Sequence, residues 1–281
     1  MKILLTGGTG FIGSNLLSEL SKENIIFSIV RRKNFKNTKY KKYIHFKNFK
    51  DLNNKLKKIK IDIVIHCATH YIKDHKIEDI DKFVNSNILL GNIILENLKT
   101  MKVKKFINFS TVWEDYNSIK NNSLNLYTAY KKSFSNILKF YIKYYSNIKF
   151  YNLMISETFG QNDNRKKIIN VLKLNYKRNL VTNIISNKLY LNLLNVEDIT
   201  EAVKLILQKN IQPGKYVLKN NKYLSISELI SVFNKTNKPP IKINWLSKKR
   251  FLEKIYTYKS ITSWKPKKSN ITDIINIIKN T

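Results

Sequence analysis

The sequence predicts an α/β fold, a doubly wound parallel sheet with helices on both faces, joined to a smaller mixed α/β lobe toward the C-terminus. Three observations carry that expectation. Strand-like and helix-like segments alternate through the first 155 residues, as in a sheet built by repeated crossover connections. The segment IDIVIHCA (61–68) is nearly all apolar, the mark of a strand covered on both faces. Four of the seven glycines fall between Gly7 and Gly13, where the first strand gives way to the first helix.

Each element can be justified in order. KILLT (2–6) is the first strand, a helix follows over Phe11–Ser21, and IIFSIV (25–30) is the second strand. A short strand is expected at Tyr43–Phe46, and 61–68 supplies the next. Asp79–Leu98 reads as a helix with an apolar stripe of Phe83, Val84, Ile88, Leu89, Ile93 and Leu95. KKFINFS (104–110) is a strand, Tyr127–Tyr145 a long helix and IKFYNLMI (148–155) another strand. Residues 1–155 thus form one unit. Beyond Gly160 the alternation loosens. Helices are expected over Lys166–Leu174, Val196–Gln208 and Ser225–Lys235, the last with Ser225 and Glu228 spaced as a capping box. LYLNLL (189–194) reads as a strand. Residues 156–281 are assigned mainly to the lobe, with 189–210 returning to the first unit.

Composition excludes several classes. At 281 residues the chain can bury a full core without staples. Its one cysteine, Cys67, rules out an internal disulfide and suits a reducing cytoplasm. His66 and His70 stand four apart with no cysteine or carboxylate at zinc spacing, so no metal is expected. No apolar run approaches the roughly 18 uncharged residues of a membrane span. The N-terminal strand runs straight into the glycines, unlike a signal peptide. The expectation is a soluble, cytoplasmic protein without membrane insertion. A net charge of +33 alone suggests nucleic acid. The lysines, however, are spread through the whole chain among Asn, Ile and Tyr, with no arginine-rich arm or aromatic-basic motif. No specific nucleic-acid partner is expected. The charge reads as the drift of AT-rich coding, and part of it can favour a phosphate-bearing substrate.

TGGTGFIG (6–13) follows a strand and opens a helix, the setting in which such a turn binds a dinucleotide. Gly7 permits the sharp exit from the strand, Gly10 lets a pyrophosphate approach the backbone, and Gly13 lets the helix pack closely. The helix N-terminus offers unpaired N–H groups to the phosphates. Residues 1–155 are therefore read as a Rossmann-type dinucleotide-binding domain. The second strand ends Ile29-Val30-Arg31-Arg32-Lys33. An acidic residue there would bond the adenosine ribose, whereas Arg31 and Arg32 fork onto a 2′-phosphate. This favours NADP(H) over NAD(H), although the same arginines can be plain surface charge.

In YTAYK, Tyr127 and Lys131 lie one helical turn apart on one face. A free phenol, with a pKa of about 10, is a poor catalyst at neutral pH. A neighbouring ammonium stabilises the phenolate and lowers that value. The spacing alone means little among 16 tyrosines. It gains weight from Ser110-Thr111 at the carboxyl end of a strand, where open parallel sheets place their ligands.

Taken together, these segments resemble the extended short-chain dehydrogenase/reductases, the NAD-dependent epimerase/dehydratase group acting on sugar nucleotides. The resemblance covers essentially the whole chain. TGGTGFIG matches the family's glycine motif, and VIHCAT (64–69), which includes Ala68, resembles its fourth-strand motif. SNILLGNIILE (86–96) matches the helix with a cofactor-contacting asparagine, here Asn87. FINFST (106–111) and YTAYK match the catalytic segments, ETFGQND (157–163) the NxYGPxD-type segment, and NVEDITEAV (195–203) the VxDxxxA stretch. The resemblance implies that Gly7, Gly10 and Gly13, with Phe11 and Ile12, hold the pyrophosphate. It implies Tyr127 as proton donor or acceptor on the sugar oxygen and Thr111 as a hydrogen-bond partner of that oxygen. Lys131 is expected to lower the phenol pKa and bind the nicotinamide ribose. Glu157 and Arg165 are expected at the substrate.

Two departures are informative. Dehydratases of the family follow the threonine with an Asp-Glu pair, but Thr111 is followed by Val112-Trp113, with Glu114 one position late. On an extended backbone that slip reverses the face, which disfavours dehydration. Where relatives carry Arg-Asp near the nucleotide diphosphate, this chain has Leu191-Asn192. Arg165, Lys166 and Lys167 can supply the charge instead. Within the family the chain resembles reductases of the CDP-abequose/CDP-paratose synthase type, which reduce a 4-keto-6-deoxy sugar nucleotide with NADPH. The alternatives are a sugar-nucleotide 4-epimerase with tightly bound NAD and a non-catalytic dinucleotide sensor, the last opposed by the intact Thr111, Tyr127 and Lys131. The resemblance also implies a homodimer formed through helices 79–98 and 127–145.

Overall fold

The computed structural model describes residues 1–31, 34–256 and 258–279. The chain runs β1 (Lys2–Thr6), α1 (Phe11–Leu20), β2 (Ile25–Val30), β3 (Lys41–His45), α2 (Phe49–Leu56) and β4 (Ile63–His66). A 3-10 turn at Ile77–Asp79 leads into α3 (Ile80–Val84), a π turn (Asn85–Leu89), α4 (Leu90–Glu96) and α5 (Leu98–Met101). Then come β5 (Lys105–Thr111), a 3-10 segment (Val112–Ser118), α6 (Leu126–Tyr144) and β6 (Lys149–Ile155). The remainder comprises β7 (Glu157–Phe159), α7 (Ile168–Lys177), β8 (Thr182–Ile184), β9 (Leu189–Leu191), β10 (Leu193–Asn195), α8 (Val196–Gln208) and β11 (Gly214–Leu218). It ends with β12 (Leu224–Ser225), α9 (Ile226–Thr236), β13 (Ile243–Trp245), β14 (Phe251–Leu252) and α10 (Ile271–Lys279).

Seven parallel strands form the main sheet in the order β11-β6-β5-β4-β1-β2-β3. The order reverses on either side of β1, so crossovers leave it in both directions and helices cover both faces. Strand alternation feeds two cores. Ile3 and Leu5 face Leu16, Leu20, Ile199, Val203 and Ile206 on the α1/α8 side. Leu4 faces Leu52, Leu56, Ile94, Phe134 and Leu138 on the α2/α4/α6 side. The doubly wound sheet expected from the sequence is therefore present. A third core, around Phe159, Leu172, Leu229, Phe233, Ile274 and Ile278, builds the smaller lobe.

Several expectations need correction. The return to the first unit, expected over 189–210, has different bounds, since β9 pairs within the lobe. α8 packs under the main sheet and β11 extends it beside β6, so the return to the first unit reaches residue 218. LYLNLL is two strands rather than one. Buried Asn192 donates to the Asn220 carbonyl (2.9 Å) and accepts from its N–H (2.8 Å), which turns the chain. β9 then pairs with β12 and β14, and β10 with β7. Helix 79–98 is broken by the π turn. Helices α2 and α10 were not anticipated, although Asn48 and Asn270 accept bonds from Asp51 N (2.9 Å) and Asp273 N (3.0 Å) as cap residues do.

Candidate active site

A cavity of about 1150 Å³ opens along the carboxyl ends of the central strands, at the point where the strand order reverses. Its floor is the glycine turn. Gly7 has φ +72°, and a Cβ there would lie 2.7 Å from Ala68 N, so the turn can approach the loop after β4 only without a side chain. A Cβ on Gly13 would lie 2.0 Å from the Gly7 carbonyl oxygen. The last glycine thus lets the helix seat on the turn itself, not only on the sheet. The Thr6 hydroxyl ties the two loops together: it pairs with His66 Nδ1 at 2.9 Å and accepts from Ala68 N–H at 3.0 Å. Burial, and secondarily the Lys131 charge, push His66 down to about 3, so its imidazole is neutral. Helix α1 starts at Gly10 with no side-chain cap and no acidic residue in its first turn. Its N–H groups are left for an anion.

Gly7, Gly10, Phe11, Ile12, Gly13 and Ala68 all line the cavity. So does Arg31, at the end formed by β2, while Arg32 lies outside the described residues. Among the described lining residues the only carboxylate is Glu157, at the opposite end. Sequence reasoning missed the wall made by Phe46–Phe49, because it depends on where β3 joins α2. Asn87 does not line the cavity. It is buried behind it, accepting from His70 N–H at 2.7 Å and from the Thr69 hydroxyl at 3.2 Å, and donating to the His70 carbonyl at 3.1 Å. Its observed role is to hold the loop whose Thr69 and Tyr71 form the wall.

Thr111, Tyr127 and Lys131 are brought together on that wall. Thr111 ends β5, and its hydroxyl oxygen accepts from Trp113 N at 3.3 Å. Tyr127 stands in the first turn of α6, which starts where Asn125 and Thr128 cap each other reciprocally. Lys131, one turn on, is buried and donates to the Phe109 carbonyl. Burial pulls Lys131 down to about 8, against the attraction of Glu114. Burial raises the Tyr127 pKa, the Thr69 hydroxyl and the Arg165 charge oppose that rise, and Glu114 adds to it.

Arg165 lines the cavity with its guanidinium engaged by protein partners. Nε and Nη2 bond Asp163 at 2.8 Å each, Nη2 reaches the Thr158 carbonyl at 2.9 Å, and the guanidinium lies 4.2 Å from the Phe11 ring centroid. It joins the glycine turn to the lobe. Glu157 lines the far end, paired with Lys167 at 3.1 Å. After Thr111 the backbone is 3-10 rather than extended. Glu114 nevertheless turns away from the cavity, into fully buried bonds from Ser110 and Ser135. Burial raises its pKa. Asp115 is buried beside Lys132 at 2.8 Å. Neither carboxyl reaches the site as an acid or base for eliminating water.

Residues 3–218 match the NAD dependent epimerase/dehydratase family. The chain belongs to that family. A CDP-abequose synthase of Yersinia pseudotuberculosis is 30% identical over 229 residues, covering 80% of this chain and 78% of that protein. A dTDP-D-glucose 4,6-dehydratase of Dictyostelium discoideum is 31% identical over 252 residues, covering 74% of this chain and 56% of that protein. The fold is similar to the UDP-glucuronic acid 4-epimerase of Bacillus cereus solved with UDP-glucuronic acid and NAD. That likeness has a TM-score of 0.79 at 21% identity and covers 100% of this chain and 99% of the other. Membership in the NAD dependent epimerase/dehydratase family makes the protein an enzyme and gives its glycine cradle a dinucleotide to hold. The cradle fits that group, since added Cβ atoms at Gly7 and Gly13 would close it. No helix among the described residues is long and apolar enough to cross a membrane.

Proposed function

We propose that this enzyme is a cytoplasmic NADP(H)-dependent reductase of a nucleotide-linked 4-keto-6-deoxy sugar, acting in deoxysugar synthesis for a surface polysaccharide. The observation that carries the reading is a single cavity with the glycine turn on its floor and Thr111, Tyr127 and Lys131 on its wall. Similarity to CDP-abequose synthase over most of the chain supports the substrate class. Arg31, at a cavity end without a lining carboxylate among the described residues, supports a 2′-phosphate on the cofactor.

A nicotinamide bound in this cavity supplies the hydride that the keto carbon accepts. The protein's own part is the proton and its placement. Burial keeps the Tyr127 phenol protonated at neutral pH, the state a donor to a developing alkoxide requires. The Thr111 hydroxyl donates a hydrogen bond to the same oxygen. Lys131 gives one N–H to the Phe109 carbonyl and has others for the ribose and the phenol oxygen.

Turnover of CDP-, dTDP-, GDP- and UDP-linked 4-keto-6-deoxy sugars with NADPH and with NADH tests the reading. NADPH oxidation with a 4-keto sugar nucleotide is expected, and no oxidation across the panel overturns it. A second reading is a 4-epimerase that retains NAD. The fold shared with such an epimerase allows it. Interconversion of UDP- or CDP-hexoses without added coenzyme would establish it.

A further inference from the structure

Part of the smaller lobe is built from chain that carries no acid. Segments 164–196 and 229–252, which include α7, β8 and β13, hold thirteen lysines and arginines and no aspartate or glutamate. Within them β8 and β13 pair in parallel, with Asn183 beside Asn244 and Ile184 beside Trp245. Exposure alternates along both strands. Thr182 and Ile184 are buried, and Ile243 and Trp245 pack on the lobe core. Val181, Asn183 and Ile185 turn outward, as do Lys242, Asn244 and Leu246. The Leu246 N–H donates to the Ile184 carbonyl at 2.9 Å, which sets Leu246 beside Ile185 on the outer face. Val181, Ile185 and Leu246 are 55%, 48% and 63% exposed.

Cations flank this apolar strip at both ends. At one end the Leu180 N–H donates to the Asn175 carbonyl at 2.8 Å, and Asn175 Nδ2 donates to the Thr182 hydroxyl at 3.0 Å. Exposed Lys177, Arg178 and Leu180, at the end of α7, therefore adjoin the start of β8. At the other end the Ser186 hydroxyl donates to the Lys249 carbonyl, and the Asn187 N–H to the Ser247 carbonyl at 3.2 Å. These bonds bring exposed Lys248, Lys249 and Arg250 to the chain just past Ile185. With Lys242 these are six cations without a carboxylate partner among the described residues, and none of them lines the cavity.

Leucine and isoleucine side chains grouped in water mark an interaction surface. A strip of them with basic ends fits a lipid surface bearing anionic head groups. The apolar side chains enter the head-group boundary, while the long cationic stems reach the phosphates around them. A nucleic acid would engage the cations and leave Ile185 and Leu246 without a partner. A second copy laid face to face would set cation against cation. We infer that the outer face of the β8/β13 pair, with the end of α7 and the run Lys248-Lys249-Arg250, is a docking surface for an anionic membrane. The protein would rest on the bilayer without crossing it. The inference does not depend on which reaction the cavity performs.

The test is co-sedimentation with vesicles of phosphatidylcholine alone and of phosphatidylcholine with about 30% phosphatidylserine, at about 0.1 M salt. The native protein should pellet with the anionic vesicles and stay in solution with the neutral ones. Ile185→Ser combined with Leu246→Ser keeps every charge and should weaken binding by about tenfold or more. Lys248→Glu with Lys249→Glu should weaken it by roughly thirtyfold or more. The equal charge change Lys57→Glu with Lys58→Glu, on the exposed end of α2, should cost only about twofold. An unchanged thermal melt shows that each variant is folded. Failure to pellet with anionic vesicles, or equal pelleting with neutral ones, overturns the inference. So do equal losses from the two charge changes, or full vesicle binding by the serine variant, since bulk charge then suffices. Loss of self-association in the serine variant, read by light scattering, would give the face to a second copy instead. Tighter binding to duplex DNA than to anionic vesicles, unaffected by the serines, would give it to nucleic acid.

Discussion

At the scale of single residues, Tyr127 and Lys131 divide two demands. Burial keeps Tyr127 protonated, and under the proposed reduction its phenol gives the proton, so Tyr127→Phe should lower turnover about a hundredfold to ten-thousandfold. Cofactor affinity, followed by quenching of intrinsic fluorescence, should be retained, and unimpaired turnover would remove the phenol from the chemistry. Lys131 is held near 8 instead of 10.5, first by burial. Between those values the unfolded chain keeps a proton that the folded chain has lost, so stability rises with pH across the window. Below about pH 8 the buried ammonium opposes folding by roughly 3 kcal/mol. Lys131→Met should therefore melt above the native protein at about pH 7, and the gap should close by about pH 10. Turnover should fall in the same variant. A lower melting temperature at neutral pH, measured by calorimetry without cofactor, would contradict this account.

Among elements, the interrupted helix 77–101 bears most directly on the site. A π turn adds a residue to the helical circuit, and here it sets buried Asn87 against the His70 backbone. Asn87→Ala would leave the N–H and the carbonyl of His70 without those partners. The expected loss is about 1–3 kcal/mol of stability, together with weaker cofactor binding as the Thr69–Tyr71 wall loosens. Thermal melts and dinucleotide titrations check both effects; unchanged cofactor affinity would mean that the loop holds itself. The stripe of apolar residues announced the helix, but the π turn has no signature in that spacing. Similarly, LYLNLL reads as one strand because its apolar run is continuous. Its break at Asn192 depends on Asn220, 28 residues away.

On the scale of the whole molecule, charge and an uncovered face decide behaviour in solution. With 52 basic and 19 acidic residues, the folded chain repels itself. Raising salt from about 20 mM to about 200 mM should raise the melting temperature by a few degrees. A flat or falling trend in scanning fluorimetry would show that the charges are already balanced locally. On α6, Phe140 and Tyr144 stack one turn apart while 60% and 66% exposed, an apolar surface of the kind that partners cover. We propose that a second copy covers it, through the helices that the family resemblance pointed to. Light scattering should give a dimer, and Phe140→Lys a monomer with its fold intact. A native monomer at micromolar concentration would reject the pairing.

Much of this architecture is legible in the chain because its signals are local. Gly7–Gly13 encodes its turn through steric limits on neighbouring backbone, α8 through unbroken helical periodicity, and Tyr127/Lys131 through the 3.6-residue pitch. Other features were decided only by distant contacts. Lys131 turns to the Phe109 carbonyl, Arg165 stacks on Phe11, and Glu114 disappears beneath the site. The sequence by itself determined the sheet and the cradle, since each follows from periodicity or spacing within a short segment. Only the tertiary structure decided which cations are spent on internal partners and which stay free for a ligand, because charge pairing depends on distance in space rather than along the chain.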